Sequence, residues 1–182
     1  MNKESVKTLI SAIRDNRSRG SVGEFLTGKI LPGSQVLAVS AYFTIYAYEA
    51  LKKYLDQIEH LNFLFGEPRF IKAMDPNKID KKSFKIEDEE IKLSNRLEQN
   101  RIAKECAEWI RKKVHIKSIK QANLLHGKLY HIDNNGVEEA IMGSSNFTVK
   151  GLGLASNNNI ELNLEVDSRR DRNDLKDWFY EI

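Results

Sequence analysis

Two short apolar runs, Gln35 to Ala41 and His60 to Phe65, constrain the fold of this chain more than any other feature. The first is β-branched and apolar, as a buried strand is. The second alternates and is closed by Gly66 and Pro68. Between them, over residues 43 to 58, Ile45, Tyr48, Leu51, Leu55 and Ile58 recur on one side of a helix. Strand, helix and strand in that order form a crossover unit, which demands neighbouring parallel strands. Extended along the chain, this pattern predicts an α/β fold with a mixed, largely parallel central sheet flanked by helices.

The rest of the chain repeats the alternation. Val6, Leu9, Ile10 and Ile13 predict an amphipathic helix over residues 4 to 16. Residues 20 to 33, rich in glycine, read as a loop with room for one short helix. Residues 67 to 85 form a charged loop, and 86 to 113 a long charged helix with Ile91, Leu97, Ile102, Cys106, Trp109 and Ile110 as its apolar members. Strands are expected at 114 to 119, 123 to 132, 139 to 143 and 160 to 166, with Asn134, Asn135 and Gly136 as a hairpin turn. A last helix is expected from Arg170 to Tyr180, with Leu175, Trp178 and Phe179 inward. A chain of 182 residues fits a single domain, 1–182.

Composition excludes some classes. No apolar run is long enough to cross a bilayer, and the N-terminus lacks the apolar core of a signal peptide. Cys106 is the only cysteine, so no disulfide forms within the chain and a reducing, cytoplasmic setting is expected. No histidine or cysteine pair has metal-ligand spacing, and no cofactor is implied. A net charge of +3 permits a polyanionic partner without demanding one. Arg69, Lys72, Lys78, Lys81, Lys82 and Lys85 crowd one stretch, which reads either as a solvated loop or as a contact to a phosphate backbone.

The chemistry concentrates between His126 and Asn146. His126 and Lys128 are two apart, so on a strand both side chains project from one face. Asp133 follows near the strand end, and the strand across the turn delivers Gly143, Ser144, Ser145 and Asn146. The hairpin register can gather these groups around one point. A neutral imidazole can attack phosphorus. A lysine ammonium with serine and asparagine donors can hold the nonbridging oxygens as charge shifts, and a carboxylate can orient a ring nitrogen. These donors neutralise a phosphodiester without a divalent cation. His131 falls five after His126, on the opposite strand face, and reads as structural, as do His60 and His115.

This constellation resembles the HxKxxxxD motif and following GSxN element of the phospholipase D superfamily. His126, Lys128 and Asp133 match the first, and Gly143, Ser144 and Asn146 the second. The gap between the two is a few residues longer than in compact bacterial nucleases of the family, with the extra residues at the Asn134–Gly136 turn. The resemblance implies a further glutamate downstream, for which Glu161 is the candidate. Val36 to Thr44, Leu64 to Gly66, and Gly143 to Thr148 with Gly151 and Leu152 are similar to such domains at the N-terminus of bacterial helicases. The likeness spans most of residues 35 to 166.

A single-motif phospholipase D-like domain is thus expected, with catalytic residues His126, Lys128, Asp133, Ser144, Asn146 and Glu161. Large members of the family carry two motifs in one chain, one histidine attacking and one protonating the leaving group. Here one copy exists, which implies a site shared across a homodimer, an incomplete site, or a fragment of a longer protein with a helicase domain in cis. No GxxxxGK[ST] phosphate loop is present. Two function classes follow. One is a metal-independent nuclease acting on DNA, with RNA the other option. The second is a non-cleaving nucleic-acid-binding module of a Swi/Snf-type or DEAD-type helicase. No membrane-facing amphipathic segment supports a lipid substrate.

Overall fold

The computed structural model describes residues 11–66, 96–119 and 125–182. Its elements, in chain order, are β1 (Ile13–Arg14), α1 (Val22–Lys29), β2 (Gln35–Ser40), α2 (Ile45–Leu55) and β3 (His60–Phe65), then α3 (Arg96–Lys113), β4 (Val114–Ser118), β5 (Lys128–Asn134), β6 (Val137–Gly143), β7 (Asn163–Glu165) and α4 (Arg169–Glu181). The basic cluster between Arg69 and Lys85 lies outside the described residues. So do residues 4 to 10 of the first expected helix and 86 to 95 of the long one.

The crossover unit forms as its pattern requires. Thr44 caps α2 by accepting a hydrogen bond from the Ala47 amide at 3.2 Å. Ala47, Tyr48, Leu51 and Leu55 are then buried at helical spacing. The short helix α1 begins with a capping box, the Ser21 hydroxyl accepting from the Glu24 amide and the Glu24 carboxylate from the Ser21 amide. Strands β2 and β3 pair in parallel, Val36 opposite Leu61 and Ser40 opposite Phe65, and β4 joins β3 in parallel.

The sheet as a whole is not largely parallel. Its order is β1-β7-β6-β5-β2-β3-β4, and the β1–β7, β7–β6, β6–β5 and β5–β2 pairings are all antiparallel. The crossover pattern correctly signals parallel neighbours for β2, β3 and β4. It does not reach the second half, where a tight hairpin joins β5 to β6 and reverses the chain without a crossover. The pairing of β5 along β2 joins the halves, and neither strand's sequence announces it.

The expected helix over residues 4 to 16 is corrected at its described end, where Ile13–Arg14 is a strand paired with Leu164 and Asn163. The Asp15 carboxylate accepts the Arg17 and Arg19 amides, at 2.8 and 3.1 Å, and Asn16 takes a positive φ of 60°. These local bonds turn the chain back where a helix would have continued.

Both faces of the sheet are covered, which explains why Val36 to Val39 is apolar at every position. On one face Val36, Ala38, Phe63, Tyr130, Ile132 and Ile141 pack with α1, α2 and α3. There Trp109 of α3 donates its indole N–H to the Leu55 carbonyl at 2.9 Å. On the other face Leu37, Val39, Leu64 and Leu129 pack under α4 through Phe179, Leu175 and Trp178. Each fully buried side chain of this kind contributes roughly 1.5–3 kcal/mol. Cys106 belongs to the first layer, where burial pushes its thiol up to about 12, so it is a packing residue. Among the described residues no helix is long and apolar enough to cross a membrane.

Candidate active site

The hairpin turn sets the register on which the site depends. Asn135 and Gly136 take φ values of 54° and 91°, the paired positive angles of a type I′ turn. From there β5 and β6 zip back to Lys128 opposite Gly143. Gly143 is also opposite Asn163 of β7, and Leu129 pairs with Val39 of β2, so Ser40 lies level with Lys128. Four strand ends, Ser40, Lys128, Gly143 and Asn163, therefore meet at one edge of the sheet. A Cβ at Gly143 would collide with the Leu162 carbonyl oxygen, so only glycine permits this approach. Gly66 plays the same part beneath Leu125: its carbonyl accepts the Leu125 amide at 3.0 Å, and a Cβ would strike the Leu125 carbonyl. That contact holds the segment carrying His126.

His126 sits in the extended stretch just before β5 and is exposed, while Lys128 opens the strand and is only 5% exposed. The Lys128 ammonium donates to the His126 carbonyl at 2.9 Å, tying the two motif residues together. Burial pushes the Lys128 pKa below its ordinary value, and the negative charge of Glu161 works against that shift.

The residues after Gly143 point alternately. Ser145 turns inward and is fully buried; its amide donates to Asn163 Oδ1 at 3.1 Å, and Asn163 Nδ2 donates to its hydroxyl at 2.9 Å. The Tyr130 hydroxyl donates to the Ser145 carbonyl at 2.8 Å. Ser145 is thus gripped from two sides, while Ser144 is exposed and Asn146 half-buried. The Ser144 hydroxyl donates to Glu161 and accepts the Leu162 amide at 3.0 Å. Asn159 Nδ2 donates to the other Glu161 oxygen at 3.2 Å. Asn146 Oδ1 accepts from the Ala41 amide and the Ser40 hydroxyl, each at 3.2 Å.

The structure thus brings Lys128, Ser144, Asn146 and Glu161 to one sheet edge beside His126. It does not bring Asp133 there. Five residues of strand from Lys128 to Asp133 span about 17 Å. At that far end the Asp133 carboxylate accepts the Gly136 amide at 2.7 Å and the Lys176 ammonium at 3.1 Å. Burial pushes its pKa up, but those two donors outweigh it and hold the carboxyl below the usual range. Its place is the turn and the α4 contact, away from the imidazole of His126. His131 lies on the opposite face, fully buried beneath α4, and burial pushes its pKa down.

The motif pattern gives no part to Ser40, Tyr130 or Asn163. The only signal for Ser40 was a polar residue closing an otherwise apolar strand. For Tyr130 and Asn163 there was none, since their partners lie across the sheet.

A family model described as "Cardiolipin synthase, PLD-like domain" matches residues 33–182. No curated protein matches the chain.

Proposed function

Because the chain belongs to the phospholipase D superfamily, as a PLD-like domain, we propose that it is a metal-independent phosphodiesterase. Its substrate is a nucleic acid, DNA in the first instance. The observation that carries the reading is the sheet edge itself. A buried ammonium, a hydroxyl and an amide converge beside an exposed imidazole, the donor set that a phosphodiester's nonbridging oxygens require.

The steps follow from these groups. Neutral His126 attacks phosphorus in line, and the leaving oxygen departs with a proton from an imidazolium opposite. Lys128 and Asn146 bind the nonbridging oxygens as charge shifts onto them, and Ser144 joins them by turning its one proton from the Glu161 carboxylate to the phosphate. Water then attacks the phosphohistidine, the second imidazole removing its proton, and free His126 is restored. In-line displacement needs two imidazoles, and His126 is the one histidine at this sheet edge among the described residues. The second is supplied by His126 of another copy, in a homodimer that shares one cleft. Ile160 and Leu162, which flank Glu161, are 72% and 67% exposed and supply an apolar border for such a contact. The net charge of +3 suits a polyanionic substrate.

The test is cleavage of bis(p-nitrophenyl) phosphate, plasmid and single-stranded DNA with and without EDTA. Turnover is expected to survive the chelator. His126→Ala should abolish it with the circular dichroism spectrum unchanged, and a trapped, acid-labile phosphoryl adduct should map to His126. Activity lost in EDTA and restored by magnesium would overturn the mechanism. DNA binding without cleavage by the wild-type protein would favour a non-cleaving nucleic-acid module.

A further inference from the structure

Asn146 has a side chain whose two ends have opposite chemistry, an acceptor oxygen and a doubly donating nitrogen. Which end faces a substrate decides whether it attracts or repels a phosphate. Asn146 Oδ1 is met by two groups of β2 and its C-terminal extension, the Ala41 amide and the Ser40 hydroxyl. The Ala41 N–H can only donate. The Ser40 oxygen is approached by two other donors, the Phe147 amide at 2.9 Å and the Tyr42 amide at 3.3 Å. With both lone pairs taken, Ser40 has only its proton left, for which Asn146 Oδ1, the Tyr42 carbonyl at 2.7 Å and the neighbouring Tyr130 hydroxyl oxygen compete. A reversed amide would set its NH2 against one N–H and one saturated oxygen. Among the described residues no protein group accepts from the Asn146 NH2.

From this arrangement we infer that Ser40 is a positioning residue: it locks the Asn146 carboxamide with its oxygen toward β2 and its two N–H donors toward the phosphate. Ser40 does not touch substrate. It is fully buried, it acts through Asn146, and the Phe147 amide that donates to its oxygen keeps the hydroxyl in place. The inference rests on the phosphodiesterase reading for its substrate, but the amide orientation is a property of the free protein and is measurable without turnover.

Ser40→Ala, Ser40→Thr, Asn146→Ala and the double variant Ser40→Ala/Asn146→Ala are compared on bis(p-nitrophenyl) phosphate. Ser40→Ala should lower kcat about tenfold with KM little changed, short of the ~10²–10³-fold that follows removal of a transition-state donor outright. Ser40→Thr, which keeps the hydroxyl, should restore most of the rate. In the Asn146→Ala background the same Ser40→Ala change should have no further effect, because the group it orients is gone. Losses that multiply in the double variant would mean a general structural role and overturn the inference. A second readout is the Asn146 side-chain NH2 pair in 15N–1H spectra. It should shift in Ser40→Ala, and respond to inorganic phosphate in the wild type but much less in that variant. The Asn163 side-chain pair, held by Ser145 and the Arg14 carbonyl, serves as the unmoved control. An unmoved Asn146 pair overturns the inference. A wild-type protein that fails to cleave at all would sink the phosphodiesterase reading, and the amide spectra alone would then decide this one.

Discussion

Lys128 keeps a charge at a nearly buried position, and two opposing effects act on it. Loss of water favours the neutral amine and lowers its pKa, while the Glu161 carboxylate favours the ammonium. The ammonium is the form that binds phosphate oxygens, so activity should fall on the alkaline side as Lys128 loses its proton. That limb should lie below the 10.5 of an ordinary lysine. Glu161→Gln removes the group that raises the pKa, so the limb should move to still lower pH. A pH–kcat/KM profile of the two proteins checks this; an upward move or no move in Glu161→Gln would contradict the assigned coupling. The amide of Asn146 illustrates the same scale. Its residue type is written in the sequence, but its orientation is set by Ser40 and Ala41, far away along the chain.

Among the elements, the β5–β6 hairpin and α4 show how one motif divides between two tasks. Its first residues, His126 and Lys128, stand at the end where four strands meet, and Asp133 stands at the other. The Lys176 ammonium bridges Asp133 at 3.1 Å and Glu138 at 2.7 Å, joining α4 to both strands of the hairpin. His131 lies beneath this bridge with its Nε2 4.0 Å from Glu138. Asp133→Asn should therefore lower stability by about 0.5–1.5 kcal/mol, a modest figure because Lys176 is partly exposed. It should leave kcat unchanged. The Asp133 pKa is depressed in the folded state, so its contribution is present above about 3.8 and is lost as pH falls through the lower folded value. The acid side of the thermal-stability curve should consequently be shallower in Asp133→Asn. A large loss of kcat in a variant that melts normally would instead return Asp133 to the chemistry.

At the scale of the whole molecule the question is the second imidazole. If two copies share one cleft, refolding wild-type chains with a growing excess of His126→Ala chains makes inactive heterodimers. Activity per wild-type chain should then fall as the variant fraction rises. A flat response, or a clean monomer in sedimentation with full activity, would exclude the shared site. Leu162→Lys, which places a charge on the exposed flank of Glu161, should weaken association and lower activity per chain, with recovery at high protein concentration.

The local patterns that sequence determines by itself were all short-range. Apolar periodicity marks β2, α2 and β3; Asn135 and Gly136 mark the turn; and the motif spacing marks His126, Lys128, Ser144 and Asn146 as a group, with Glu161 added only by the family resemblance. Each of these depends on neighbours within a turn, a strand or a hairpin, where chain connectivity limits the outcomes. Tertiary structure decided what depends on partners far apart in the chain. Pairing β5 against β2 made the sheet largely antiparallel. Ile13 became a strand because Leu164 offered it a ladder. Asp133 went to Lys176 because five residues of extended backbone outreach any side chain. The lock on Asn146 arose because the register of three strands set Ser40 beside it, and register is a property of the assembled sheet that no single segment encodes.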